Sequence, residues 1–485
     1  MINMPFDFKP LENLFGNRIT TDEFECAAYG NDLAPLPGMI NMLFSTKPDA
    51  VVRPENPQEI SEIMKFANKN KIPVTIRASA TSALGNVMPT RAGIVIDMSS
   101  MDKKIEINEE DETVNVGAGV IWRDLEKALK RKGFALMTYP SSAPSATVGG
   151  WLSSQGYGIG TLKFGRVYEQ VLDMEIVLPE GKIKYYSSDG RYKFLGMEGT
   201  TGIITEVELK VRDAPEMESP HLLLFGSQEK FCSTLPKLIS LSPFNISYSS
   251  KSYFEMMEAA KENPGSRDHD FEFTALIVFE GNKNKIDGAV KNLDKTKKAG
   301  SFGEEPAKIA KEEWDDRFNP MRIKRRGPTL LAGDLLIPLD RMNGVINELR
   351  KLKIKNLGIE GTIVSEDKAV VMPMYLTDER KFLDFVLSLR HIKTMNDIAV
   401  SAGGIPYGTG IWNSPYIGNI LSKNELKKKI ELKKKLDPNE ILNIDKYFGV
   451  KLKIPSSLFN PNVYGMSMFS ARIASKPLRL MGMIK

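Results

Sequence analysis

Along residues 50–96 the apolar positions cluster in threes, spread to a helical spacing, and then cluster again. Ala50-Val51-Val52 predicts a short strand, after which Pro54 and Pro57 set up a helix start. Ile60, Ile63, Met64 and Ala67 fall at i, i+3, i+4 and i+7, one apolar stripe of an amphipathic helix. Val74-Thr75-Ile76 and Ile94-Val95-Ile96 predict two further strands, so this stretch reads as a β-α-β unit.

A second unit begins at Thr113. Val114 and Val116 alternate with polar residues, and Gly117 and Gly119 break the strand. Ile121, Leu125, Ala128 and Leu129 share the face of a following helix that Gly133 stops. Residues 138–160 read as one long loop. Residues 171–178 and 202–211 read as strands, with Pro179-Glu180-Gly181 as the turn between them. Residues 214–400 alternate strand-like and helical stretches without a cofactor loop, which predicts a separate α+β domain. Residues 401–450 are a Gly-rich loop and a lysine-rich helix. The expected organisation is therefore a leader (1–45, with Tyr29, Asp32 and the Pro35-Leu36-Pro37 turn), a binding domain (46–213), a cap (214–400), a C-terminal segment (401–450) and an extended tail (451–485).

Three loops at strand ends carry the candidate chemistry. The first holds Ala78, Ser79, Ala80, Thr81 and Ser82. Its small side chains let backbone N–H groups approach a diphosphate, as in an anion nest, although an ordinary polar turn explains it equally well. The second, PSSAPSATVGGWLSSQGYGIG (140–160), has six serines and threonines and five glycines in 21 residues, a composition suited to wrapping a ligand with backbone. The third, EGTTGII (198–204), runs into a strand. Gly117-Ala118-Gly119 lacks the third glycine of a dinucleotide fingerprint, Trp122 standing in its place, and no phosphate-binding P-loop motif occurs.

Composition narrows the chemistry further. Cys26 and Cys232 have no pair spacing, and His221, His269 and His391 stand far apart, so neither a metal site nor an iron–sulfur cluster is expected within the chain. A net charge of +5, from 66 basic and 61 acidic residues interspersed along the sequence, does not make the dense basic face that nucleic acid needs. The lysine run 427–435 is interrupted by Glu431 and carries a thin apolar stripe, which predicts a solvated helix face. The opening MINMPFDFKP lacks the basic start of a signal peptide, and no apolar run reaches the ~18 residues that span a bilayer. A cytoplasmic protein with no direct membrane span is expected, with a partner subunit as its route to a membrane surface.

Residues 46–213 resemble the FAD-binding domain of the vanillyl-alcohol-oxidase-like (PCMH-type) flavoproteins. The likeness rests on PDAVVRPENPQEI, RASATS, TVGGWLSSQGYGIGTLKFGRV, EQVLDMEIVLPEGK and EGTTGIITEVEL, in that order. LKKKLDPNEILNIDK (432–446) is similar to the closing segment of glycolate and D-lactate dehydrogenase FAD subunits, and the Gly149-Gly150-Trp151 run to alkylglycerone-phosphate synthases. The resemblance implies an α+β fold: a two-subdomain FAD-binding domain, an α+β cap, and a C-terminal segment returning to the FAD domain. It implies that residues 78–82 grip the pyrophosphate. Pro140, Ser141, Ser142, Ala146 and Thr147, with Gly149, Gly150, Ser153, Ser154, Gly156 and Tyr157, would line the isoalloxazine and ribityl chain. Glu198, Gly199, Gly202, Ile203 and Ile204 would hold the adenine side. Covalent members tether the flavin through histidine or cysteine in these loops; neither loop has one, so dissociable FAD is expected.

The same families carry histidine-rich segments in the cap and near the C-terminus. The counterparts here, residues 361–367 and 404–410, contain none. Tyr407 falls where a histidine-bearing loop would meet the flavin, but a phenol with a pKa near 10 is a poor base at neutral pH. Arg317 and Arg322, followed by Arg325 and Arg326, offer guanidinium forks suited to a substrate carboxylate or phosphate. Two functions remain open. One is a dehydrogenase taking a hydride from a small 2-hydroxy acid or alcohol and passing electrons to an iron–sulfur partner. The other is an FAD-bearing electron-transfer or assembly subunit. The tail, with Met466, Met468, Phe469 and Met481, reads as a strap over such a partner, as an internal strap, or as disorder.

Overall fold

A computed structural model describes residues 6–34, 46–154, 156–262, 270–298, 300 and 302–449. The tail, the Pro35-Leu36-Pro37 turn and His269 lie outside these residues. The α+β architecture is built on three sheets. In the first, Ala50–Val52, Ile94–Asp97 and Val74–Arg77 run parallel in that order, with Ile19–Thr20 antiparallel at one edge. The helix Pro57–Asn70 crosses between two of them. Asn56 accepts from the Glu59 N–H at its start, and Lys71 ends it in a left-handed conformation (φ 53°). The stripe Ile60, Ile63, Met64 and Ala67 is wholly buried, each large side chain contributing about 2 kcal/mol of apolar burial.

The second sheet is antiparallel, in the order Ile105–Asn108, Thr113–Gly117, Ile203–Lys210, Val171–Val177, Ile183–Ser187. Two of its strands differ from the sequence expectation. The Pro179-Glu180-Gly181 turn does not lead to the strand at 203 but closes a hairpin onto Ile183–Ser187. That strand and Ile105–Asn108 are edge strands with no fully buried residue, so they lack a strong apolar signal. Nor is 138–160 a continuous loop. Val148–Ser154 is helical, because Gly149 lets the turn sit directly on Ala118, 2.6 Å from where a Cβ would stand.

The third sheet has nine strands and forms the cap. Its central strands Phe273–Gly281, Asn245–Ser250, Gly358–Ile363 and Lys368–Thr377 are paired antiparallel. Strand periodicity divides its two faces. Ile246, Ala275, Ile359 and Val371 pack under the helices Gln228–Ile239, Met342–Lys351 and Phe382–Ser401. Ser247, Thr274, Glu360 and Met372 point the other way, into a cavity shared with the first two sheets.

Residues 437–447 return to the first sheet. Val74 N–H donates to Ile441 O (2.7 Å), Asn443 N–H donates to Val74 O (2.8 Å), and Ile441 and Leu442 join that core. The helix before them, Lys423–Leu436, opens with a Ser422–Glu425 capping box. Its lysines are not uniformly solvated, which corrects the expectation for this run. Lys433 turns inward, its Nζ donating to Thr200 O and Leu442 O (both 2.8 Å) and pairing with the buried Asp437. Lys434 and Lys435 stay exposed.

Candidate active site

The cavity has a volume of about 1770 Å³ and is lined by all three predicted loops, by Asn31 and Asp32 of the leader, and by the open face of the cap sheet. It exceeds the few hundred to ~1,000 Å³ of a small-molecule pocket, leaving room for a dinucleotide and a further ligand.

The three loops form one end. Ala78, Ser79, Ala80, Thr81 and Ser82 line it where the strand Val74–Arg77 stops. Ala80 adopts a left-handed φ of 52°, which bends the backbone around the cavity edge. Ser82 is not free to meet a ligand through its hydroxyl, which donates to Asn86 Oδ1 and accepts from Leu84 N–H. In the second loop, Thr147 Oγ1 accepts from Gly150 N–H (3.1 Å) and caps the short helix. Ser153 and Ser154 spend their hydroxyls on the carbonyls of Gly149 and Trp151. Pro140, Ser141, Ser142, Ala146, Thr147, Gly149, Gly150, Ser153, Ser154 and Tyr157 all line the cavity. Gly156 does not. A Cβ there would stand 1.7 Å from Trp151 Nε1, so this glycine serves the packing of the indole.

The third loop is tied to the C-terminal segment. Glu198, Gly199, Gly202, Ile203 and Ile204 line the cavity. The buried Glu198 carboxylate accepts from Gly410 N–H (2.8 Å) and Thr409 N–H (3.2 Å), while Asn443 Nδ2 donates to Glu198 O (2.7 Å) and Asn443 Oδ1 accepts from Ile76 N–H (2.9 Å). Burial pushes the Glu198 carboxyl up to about 7 and pulls the fully buried Lys446 down to about 8. Asp32, in the leader, is likewise raised to about 6 by burial, against backbone N–H groups of Ala34, Gly85 and Asn86 that lower it, and its Oδ2 has no close hydrogen-bond partner among the described residues. Sequence reading named Asp32 without a role and passed over Asn443, whose partners lie hundreds of positions away.

The cap side forms the other end. Tyr407 lines it, its hydroxyl oxygen accepting from Tyr157 N–H (2.6 Å) with the two rings 5.4 Å apart. Burial raises the Tyr407 phenol further, and its hydroxyl oxygen is held at the Tyr157 N–H. Arg317 lines the cavity but stacks on Trp314 (4.0 Å) and donates to its carbonyl. Arg322 pairs with Asp316 and does not line it, so the two arginines do not form one fork. Asp334 and Glu360, which sequence reading missed, stand on this wall. Burial raises Asp334 to about 6 and Glu360 to about 7. Both are half-buried and line the cavity. No histidine or cysteine among the described residues lines the cavity. His221 bonds Glu304, His391 meets the Tyr375 ring, and both cysteines pack elsewhere.

Residues 48–186 match the model of an FAD binding domain, and residues 214–447 match that of the FAD linked oxidases, C-terminal domain. The chain is an FAD-linked oxidoreductase. This oxidoreductase is 26% identical over 429 residues to a glycolate oxidase subunit, GlcD, of Bacillus subtilis, covering 84% of this chain and 90% of that one. It is 35% identical over 170 residues to a D-lactate dehydrogenase of Archaeoglobus fulgidus, covering 33% and 38% of the two chains. Two solved structures share its fold. An alkyldihydroxyacetonephosphate synthase superposes with a TM-score of 0.74 at 20% identity, covering 91% of this chain and 86% of that one. A p-cresol methylhydroxylase superposes with a TM-score of 0.77 at 14% identity, covering 90% and 95%.

The residues present suit FAD. At Gly150 a Cβ would stand 2.9 Å from Thr147 Oγ1 and 3.0 Å from the Ala78 Cβ, so the first and second loops close on each other with only a glycine between them. Asp32 lines the same cavity, and its Oδ2, without a close partner among the described residues, is an acceptor suited to a ligand hydroxyl. Among the described residues, no helix is long and apolar enough to cross a membrane.

Proposed function

We propose that this oxidoreductase oxidises a small hydroxy compound, an alcohol or a 2-hydroxy acid, and passes the electrons to a partner iron–sulfur protein. One observation carries the reading: a single cavity joins a backbone-built cradle at one end to a wall of polar side chains at the other. When bound, FAD supplies the acceptor for a hydride and delivers electrons onward singly or in pairs. Residues 78–82 would hold the diphosphate, residues 140–157 the flavin and ribityl chain, and residues 198–204 the adenosine. Tyr407 would hold the second loop in place through Tyr157, and the cap would exclude water from the reacting carbon. No histidine or cysteine among the described residues lines the cavity, which supports a dissociable cofactor. The GlcD relative is by name one subunit of an oxidase, which supports a partner for this chain as well.

The test is anaerobic. Purified FAD-loaded protein is mixed with a panel of alcohols and 2-hydroxy acids while its visible absorbance is followed. Bleaching by one of them supports the reading, and a flavin that none of them bleaches overturns it. In that event the second reading, an FAD-bearing electron-transfer or assembly subunit, would stand. Co-purification with iron–sulfur proteins would decide its place.

A further inference from the structure

The charge of the chain is unevenly placed. Residues 423–485 carry 14 basic and five acidic side chains, a net of +9, so the +5 of the whole sequence leaves residues 1–422 at −4. Charge gathered at one end of a chain suits an acidic macromolecular surface.

The helix Lys423–Leu436 shows how that charge is displayed. With 3.6 residues per turn, Lys423, Lys427, Lys428, Lys434 and Lys435 fall within an arc of about 140°, with Asn424 and Glu431 between them. All seven are exposed. Among the described residues none of these five lysines forms an ion pair, whereas the inward Lys433 pairs with Asp437. The other acid of the helix, Glu425, is taken up by the capping box with Ser422. The opposite face holds the helix to the binding domain. Lys433 Nζ donates to Thr200 O (2.8 Å) and Lys429 Nζ to Met197 Sδ (3.0 Å), so the thickness of one helix, about 10 Å, separates the basic arc from the loop 198–204.

The tail leaves the domain at this same helix. Lys429 Nζ stands 5.7 Å from the centre of the Tyr447 ring, and Phe448 and Gly449 are the last described residues after it. The 36 residues from Val450 onward hold six basic side chains and no acidic one, together with large apolar residues such as Leu458, Phe459, Phe469, Leu478 and Leu480. An acidic protein or a nucleic acid would answer the charges and leave these apolar residues without a role. An anionic bilayer answers both. Its headgroups attract Lys and Arg over about 10 Å, and Phe and Leu enter the boundary between headgroups and acyl chains. One such signal holds a protein weakly, and two hold it stably.

We propose that the exposed lysine arc of the helix Lys423–Leu436 and the tail rooted beside it form a docking surface for an anionic lipid bilayer. The chain binds there peripherally through its own residues, without a membrane-crossing helix and without needing a partner subunit as its anchor. The proposal is independent of the substrate reading, because none of these lysines lines the cavity.

The experiment sediments FAD-loaded full-length protein with vesicles of phosphatidylcholine alone, or of phosphatidylcholine and phosphatidylserine in equal parts. The expected result is binding to the mixed vesicles only, weakening as salt is raised. Lys423→Gln, Lys427→Gln, Lys428→Gln, Lys434→Gln and Lys435→Gln together should weaken that binding at least about a hundredfold. Phe459→Ser, Phe469→Ser and Leu480→Ser together should weaken it about tenfold. Flavin content and thermal midpoint should match the wild type in both, and Lys434→Glu with Lys435→Glu repeats the helix test with a smaller change, an expected loss of about tenfold or more. Equal binding to the two kinds of vesicle would overturn the proposal. So would binding to the mixed vesicles that the helix substitutions leave unchanged. Retention on poly-L-glutamate or duplex DNA, with no binding to the mixed vesicles, would overturn it in favour of an acidic macromolecule.

Discussion

The two ends of the cavity are made of different material. The loop end is lined by Ala, Ser, Thr and Gly whose side chains are small or already engaged with their own backbone, so shape and main-chain groups do the holding. The cap end is lined by acids, amides and phenols on the open face of a sheet, and there individual functional groups decide what binds. The consequence is that substitutions should matter for opposite reasons at the two ends. Adding atoms should be damaging in the loops, and removing a functional group should be damaging in the cap.

The largest effect expected is at Gly150. Gly150→Leu would force a side chain between Thr147 and Ala78, and FAD retention should fall at least about a hundredfold, read as the flavin-to-protein ratio after gel filtration. Full flavin content in this variant would break the contrast between the two ends. Next comes Asn443→Ala, which removes buried hydrogen bonds to Ile76 and Glu198; a loss of about 2–4 kcal/mol in denaturant unfolding is expected. Glu198→Gln sharpens the picture through pH. The folded carboxyl sits near 7, above its unfolded value, so its contribution is present below about pH 4.5 and lost as pH rises through 7. The wild type should therefore lose on the order of 2 kcal/mol relative to the variant across that window, and a constant difference would show that the carboxyl stays ionised throughout. Lys446 does not interfere, because it is charged in both states below 7. The smallest effect should be Ser153→Ala, which leaves flavin content unchanged and alters stability by less than about 0.5 kcal/mol, since its hydroxyl serves only Gly149 O.

The loop end was legible from sequence because its requirements are local. Small residues directly after a strand, and a 21-residue stretch crowded with Gly and Ser, announce a backbone-lined cradle, and 20 of the 21 positions named for it line the cavity. Gly156 is the exception, because a glycine kept for an indole looks in sequence like a glycine kept for a ligand. The cap end was hardly legible. Glu360 is one acid in a short strand, and its place on the cavity wall comes from which sheet face it occupies. Tyr407 was placed at the cavity, yet its partner Tyr157 lies 250 positions away. Arg317 and Arg322 lie close in sequence and looked like one fork, but a short helical turn sends one to Trp314 and the other to Asp316. Edge strands Ile105–Asn108 and Ile183–Ser187 escaped notice because neither buries a full face.

The return of residues 441–443 to Val74 has a consequence for how the chain matures. Backbone bonds that complete the first sheet join positions 367 residues apart, so a growing chain cannot make them until nearly everything, cap included, has left the ribosome. Until then Val74 and Ile76 present unsatisfied edge groups beside an unfinished nucleotide cradle. A nascent chain cut short within the cap would therefore be left with that edge open.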